Sequence, residues 1–200
     1  ARNQADANLL RAKSSLEVTH YELQQALAHE QVLARTDGLT ELYNRRYFFE
    51  LAVREFSASI RYQRTLTIIM FDVDGFKQAN DTLGHAFGDS ILIQIAQVAA
   101  SQVRDVDILA RYGGDEFVIL LPQTNTQQAF LIAERIRESV LSARVKADSQ
   151  SIVVTLSIGV AEIVHNPQDR LVEDVIRRAD KALYSAKQKG RNNTVIFNKP

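Results

Sequence analysis

Ile108-Leu109-Ala110-Arg111-Tyr112-Gly113-Gly114-Asp115-Glu116-Phe117-Val118-Ile119-Leu120-Leu121 sets two short apolar stretches around a tip of two glycines and two acids. Residues 108–112 and 117–121 read as β-strands, and the four residues between them as the turn of a hairpin. The adjacent glycines carry no side chain, so a bulky ligand can approach the backbone very closely there. Asp115 and Glu116 follow at once, and neighbours at the start of a strand point to different sides. One is then free to bind metal while the other supports it or faces a second ligand. The plain alternative is an ordinary hairpin, which favours Gly and Asp in any case.

A second acidic turn lies upstream. Residues 65–71 form a short, β-branched apolar run that reads as a buried strand. It leads directly into Asp72-Val73-Asp74-Gly75-Phe76-Lys77. Carboxylates at a strand end suit a hard cation such as Mg2+, which takes a few oxygen ligands plus phosphate and water. Gly75 lets the following turn bring backbone N–H groups to a ligand, and Lys77 would neutralise phosphate charge. Alone, this segment reads equally as a strand-to-helix turn with an Asp cap. Together, two acid-bearing strand ends side by side would supply a paired-metal site for phosphate chemistry.

The pattern extends outward as alternating elements. Residues 44–63 read as a helix capped by Asn44, and 75–81 as a short helix or loop. Residues 90–103 read as an apolar helix with Asp89 near its start. Residues 124–144 form a helix capped by Thr124 or Asn125, and 152–163 one long strand. Residues 170–189 form a helix ending at Gly190, and 194–197 a last strand. This order predicts an α+β fold of ferredoxin-like type, a mostly antiparallel central sheet flanked by helices. Residues 1–35 stand apart as a long N-terminal helix without Gly or Pro. Leu9, Leu16 and Leu23 recur every seven residues, with Lys13, His20, Leu27 and Ala34 interleaved. That is a partly polar heptad seam, read as a coiled-coil stalk pairing two subunits. A single amphipathic helix lying on its own domain is the alternative. The division is therefore 1–35 stalk and 36–200 catalytic domain.

Composition narrows the function. The chain has 200 residues, 46% of them hydrophobic, which is enough for a real core. Lys plus Arg balance Asp plus Glu at 24 each, so no basic field draws it to duplex nucleic acid. There is no Cys, which excludes disulfides, cysteine–zinc sites and a catalytic thiol. No apolar run spans a bilayer, and Ala1-Arg2-Asn3-Gln4 is not a signal peptide. A cytoplasmic location is expected, with a membrane anchor or sensor upstream left open.

The motifs, taken together, resemble the GGDEF family of diguanylate cyclases. The resemblance runs from Asp37-Gly38-Leu39-Thr40-Glu41-Leu42-Tyr43-Asn44-Arg45-Arg46 through Phe71–Lys77 with Asn80-Asp81. It continues over Gly84-His85, Gly88-Asp89 and Arg111-Tyr112-Gly113-Gly114-Asp115-Glu116-Phe117. Ser157-Ile158-Gly159-Val160, Ala179-Asp180-Lys181-Ala182-Leu183-Tyr184, Ala186-Lys187 and Gly190-Arg191-Asn192 complete it. It implies a nucleotidyl-cyclase-type sheet and an enzyme that condenses two GTP into cyclic di-GMP as a homodimer. It implies two Mg2+ per active site, with Mn2+ as a substitute, and an upstream sensor domain. The alternative within the family is a catalytically silent module that binds GTP or cyclic di-GMP.

The resemblance also implies residue roles. Asp72, the Val73 carbonyl, Asp115 and Glu116 would bind metal, with Asp115 as base for the 3′-hydroxyl. Lys77 would stabilise phosphate charge beside Gly75, Phe76 and Gly114. Asn80 and Asp89 would read guanine, with His85 in the same segment. Lys187 and Arg191, four apart and so sharing a helical face, would hold terminal phosphates. Independently, a carboxylate at Asp89 suits guanine, whose N1–H and amino group donate, whereas adenine would leave it unpaired. Arg104-Asp105-Val106-Asp107 matches the product-inhibition motif, since it ends five residues before the glycine pair. Arg104 and Asp107 would bind cyclic di-GMP there, with Arg135 as an additional contact. As a bare pattern, Arg-x-x-Asp is otherwise only a surface ion pair.

Overall fold

The computed structural model describes residues 13, 16, 19–24, 30, 35–147, 150–165 and 169–197. Among these residues no helix is long and apolar enough to cross a membrane. The seam positions Leu9, Leu27 and Ala34 lie outside the described residues. Lys13, Leu16, His20 and Leu23 are helical and exposed.

The fold is organised by β2 (Leu66–Val73), all of whose residues are buried. Side chains alternate along a strand, so β2 feeds two separate cores. Ile69, Phe71 and Val73 join one apolar cluster, and Leu66, Ile68 and Met70 join the other. Burying both faces of a central strand requires helices on both sides of the sheet. Helices α3 (His85–Ala100) and α4 (Thr126–Ala143) supply Ile91, Leu92, Ile95, Ala133 and Ile136 to the first cluster. Helices α1 (Arg45–Tyr62) and α5 (Val172–Gln188) supply Phe48, Ala52, Val175 and Leu183 to the second. The short helix α2 (Phe76–Leu83) follows β2 directly.

The six-stranded sheet has the order β1-β3-β4-β2-β7-β8. Its members are β1 (Tyr43–Asn44), β3 (Ile108–Gly113), β4 (Glu116–Pro122), β7 (Leu156–Glu162), β8 (Thr194–Ile196) and β2. The three central pairings are antiparallel, and β1 and β8 add parallel at the edges. The expected mostly antiparallel sheet flanked by helices is therefore what forms. Caps fall where the side chains predict. Asn44 accepts the Tyr47 N–H at 3.0 Å, and Asn125, not Thr124, closes a capping box with Gln128.

The structure differs from the sequence reading most at two boundaries, and it adds two short strands that reading did not contain, Tyr43–Asn44 and Val145–Ala147. The single long strand over 152–163 is two strands. Gln150–Ile152 is β6, paired with β5 (Val145–Ala147) in a small separate sheet. The break comes because β2 ends at Val73, opposite Leu156, so the chain before it has no ladder partner in the main sheet. Helix α3 begins at His85, five residues before the expected start. Its cap is Gly84 at φ 86°, which offers no side-chain bond and hence no capping signal in the sequence.

Gly159 on β7 lets α5 lie directly on the sheet. A Cβ there would come 2.1 Å from the Ala179 carbonyl oxygen and 2.2 Å from the Leu183 nitrogen, both backbone atoms. Gly159→Ala is therefore expected to destabilise by about 3 kcal/mol or more. Thermal unfolding checks this as a fall of roughly 6–12 °C in Tm.

Candidate active site

Strand parity determines which side chains meet at the end of β2. Asp72 shares the face of Ile68 and Met70, toward α5. The β2–β4 register sets it directly opposite Glu116. Opposed residues in an antiparallel pair hold their Cβ atoms about 4.5–5.5 Å apart, and like charges there repel. Asp115 sits in the preceding turn, where its carbonyl accepts the Val73 N–H at 3.3 Å. Burial pushes the Asp72 carboxyl up to about 6; Lys187 opposes this, while the charges of Asp115 and Glu116 add to it. Lys187, at the end of α5, brings Nζ to 2.7 Å from Asp72 Oδ2.

These residues suit a divalent cation. Three carboxylates crowd one strand end, and an ammonium already occupies the cation's electrostatic role at Asp72. Among the described residues no three Asp, Glu or His side chains form a cage by themselves. A Mg2+ ion there would need its remaining ligands from backbone oxygen, water and substrate phosphate.

The hairpin tip is held by a clamp that the sequence reading missed. Arg111 donates from Nε and Nη2 to the Gly114 carbonyl, at 3.0 and 2.8 Å. Its Nη1 donates to Asp37 Oδ1 at 3.1 Å. The same Asp37 oxygen accepts the Thr40 N–H and hydroxyl, at 2.9 and 2.8 Å. Burial works to raise the Asp37 carboxyl, but the Thr40 and Arg111 bonds outweigh it and hold the group low. Both residues sit in quoted motifs, yet nothing local signals a pair 74 residues apart. Gly114 itself lies at φ 51°, a conformation the turn requires.

The α2–α3 corner gathers a second group. Gly75, at φ 71°, starts α2; Phe76 packs on the core and Lys77 is exposed. Asn80 Oδ1 is buried without a hydrogen-bond partner. It lies against Gly88, where an added Cβ would stand 1.8 Å from that oxygen. Asp89 follows on α3 and is exposed, as is His85 one turn earlier. An orphaned acceptor beside an exposed carboxylate is a place for a ligand that carries N–H donors.

The expected shared helical face of Lys187 and Arg191 is corrected. Helix α5 ends at Gln188, and the Arg191 N–H bonds back to the Ala186 carbonyl at 3.2 Å. This is a Schellman closure with Gly190, at φ 107°, in the left-handed position. Arg191 and Asn192 also have positive φ, 61° and 46°. Such backbone costs on the order of 1–3 kcal/mol per residue and persists only where its surroundings impose it. Arg191 therefore sits on a turn and not on the helix.

Arg104, Asp107 and Arg135 form a separate group. The Arg104 N–H donates to Asp107 Oδ2 at 2.8 Å, and the Asp107 N–H donates to the Arg104 carbonyl at 3.0 Å. Asp107 Oδ1 is buried and unpaired. Arg135 Nη2 donates to the neighbouring Gln102 carbonyl at 2.5 Å. The whole of β3 separates this group from the hairpin tip, roughly 20 Å at the rise of a strand.

Comparison with known proteins agrees with this architecture. Residues 34–193 match the family described as diguanylate cyclase, GGDEF domain. The chain is 40% identical over 176 residues to diguanylate cyclase A of Treponema denticola. It is 40% identical over 162 residues to diguanylate cyclase DosC of Escherichia coli. These alignments cover 86% and 80% of this chain, but only 47% and 35% of the two relatives' lengths. Among solved structures, the coiled coil and GGDEF domain of DgcB from Caulobacter crescentus, in complex with c-di-GMP, superposes with a TM-score of 0.86. It is 31% identical, and the match covers 94% of this chain and 98% of that one.

The raised Asp72 carboxyl predicts a pH-dependent cost. A folded-state value of about 6 against an ordinary 3.8 means the folded protein binds this proton more tightly than the unfolded chain. Its contribution to stability is thus complete below about pH 4 and lost as pH rises through 6. In metal-free buffer Asp72→Asn should raise Tm at about pH 8, with the gain fading toward about pH 4. Melts at the two pH values check this, and an equal gain at both would contradict it.

Proposed function

The chain belongs to the GGDEF family of diguanylate cyclases, and from that premise we propose that it condenses two GTP into cyclic di-GMP and two pyrophosphates. The observation that carries the reading is the register of β2 on β4. It crowds Asp72 and Glu116 at the foot of a glycine-tipped turn bearing Asp115. When bound, Mg2+ or Mn2+ at Asp72, the Val73 carbonyl, Asp115 and Glu116 would neutralise phosphate charge and lower the pKa of the attacking hydroxyl.

The chain's own residues do the rest. Asn80 and Asp89 orient guanine, the orphaned Asn80 oxygen accepting from its amino group and Asp89 from its N1–H side. His85 lines the same corner. The open backbone of Gly75, Phe76 and Gly114 lets the triphosphate lie close, with Lys77 meeting its charge. On nucleotide binding, Lys187 exchanges Asp72 for terminal phosphate, and Arg191 joins it there. Asp115 takes the proton of the 3′-hydroxyl as the new O–P bond forms at the partner nucleotide's α-phosphate. The α–β anhydride bond breaks in line and pyrophosphate leaves.

One domain holds one nucleotide, so two domains must face each other for reaction. Residues 1–35 act as the stalk that pairs two subunits and raises the effective concentration of one half-site for the other. An upstream sensor would act on that pairing, and the GTP supply assigns the domain to the cytoplasm. Cyclic di-GMP returns to Arg104, Asp107 and Arg135 as an inhibitor. The unpaired Asp107 oxygen supports this, since it offers an acceptor to a guanine edge.

Incubation with GTP and Mg2+ followed by chromatography should yield cyclic di-GMP with two equivalents of pyrophosphate. Asp115→Ala should cost about 10²-fold or more in kcat. GTP binding without product would instead identify a silent binding module. Asp89→Ala should cut the preference for GTP over ATP by roughly 5- to 150-fold, the worth of about 1–3 kcal/mol.

A further inference from the structure

The turn that carries Arg191 is held in place from two sides. Three consecutive residues, Gly190, Arg191 and Asn192, have positive φ at 107°, 61° and 46°. Glycine accepts this freely, whereas the Cβ of the next two residues disfavours it. On one side the Asn192 N–H donates to Asp74 Oδ2 at 3.0 Å. Asp74 is fixed in turn by the Thr155 hydroxyl at 2.7 Å and the Ser157 hydroxyl at 2.6 Å. On the other side Arg137 Nη1 donates to Asn192 Oδ1 at 3.0 Å. The rest of that guanidinium forks onto Glu134 at 2.9 and 2.8 Å, and Glu134 also accepts the Thr194 hydroxyl at 2.6 Å.

Asp72 and Asp74 therefore differ in kind, although the sequence sets them two apart. Asp72 faces like charges and an ammonium. Asp74 takes three neutral donors, and among the described residues no Lys or Arg is paired with it. Its lone pairs are committed to holding protein against protein. Its backbone is anchored too, since the Asp74 N–H donates to the Thr155 carbonyl at 3.0 Å.

We propose that Asp74 is a positioning residue that clamps the 190–192 turn to the end of β2 and so aims Arg191, with Lys187, at the terminal phosphates of the nucleotide. The assignment rests on the reading of this site as one for GTP. It makes the second aspartate of the Asp72-Val73-Asp74 run an organiser of the anion-holding pair and not a metal ligand. It also gives Arg137, distant in sequence from every motif in the site, a role as the opposite jaw of the same clamp.

Steady-state kinetics on the whole chain test it. Asp74→Ala should raise KM for GTP about tenfold, the scale of one charge-assisted phosphate contact. The inhibition constant of GMP, which lacks the terminal phosphates, and the half-saturating Mg2+ concentration should stay within about twofold. In an Arg191→Ala background, Asp74→Ala should add nothing further, because the two act through one contact. A parallel rise in the GMP constant, a large rise in the Mg2+ requirement, or additive effects would each overturn the assignment. Should Asp74→Ala fail to fold, Arg137→Gln tests the other jaw. A rise in KM of about threefold that vanishes with Arg191→Ala supports the clamp, and an unchanged KM overturns it. Wild-type protein that makes no cyclic di-GMP would sink the GTP reading and this role with it. Normal wild-type turnover with unaltered variants would sink this role alone.

Discussion

The antiparallel pairing of β2 with β4 puts Asp72 opposite Glu116, and the rest of the site follows from that repulsion. Two carboxylates on one face of adjacent strands, with a third in the turn beside them, cannot all be charged at low cost in a half-buried place. The protein meets this with the Lys187 ammonium and with an Asp72 carboxyl pushed up to about 6. Crowding of this kind favours positive charge at the strand end, which the Lys187 ammonium supplies in this structure.

The repulsion is tolerated because the strand that carries it is the best buried in the molecule. Residues 66–71 of β2 anchor two cores at once, and α5 is brought onto β7 so closely that Gly159 has no room for a Cβ. The close approach of α5 also delivers Lys187 to Asp72. Packing and electrostatics are therefore coupled through one helix. Its apolar face holds the sheet, and its last turn serves the acids. The hairpin tip is likewise braced by the Arg111 fork between Gly114 and Asp37.

Two buried oxygens without partners, Asn80 Oδ1 and Asp107 Oδ1, mark two separate places where a donor is missing. Each lies beside exposed charge, Asp89 in one case and Arg104 in the other. They lie toward opposite ends of α3, Asn80 against Gly88 in its first turn and Asp107 beyond its end at Ala100.

The sequence by itself determined the elements and their chemistry. Short continuous apolar runs marked β2, β3 and β4 as strands, Asn44 and the Thr124-Asn125 pair marked helix starts, and the glycine-flanked acids marked the candidate site, because all of these are local signals. Helix α3 was misplaced because its Gly84 cap leaves no side-chain trace, and 152–163 was read as one strand because composition does not show where a partner ends. Tertiary structure alone decided which acid repels which, that Asp74 faces Thr155, Ser157 and Asn192, and that Arg191 leaves the helix. Those outcomes depend on strand register and on contacts between residues far apart in the chain. A one-residue change in register would turn every side chain to the other face without altering a letter of the sequence.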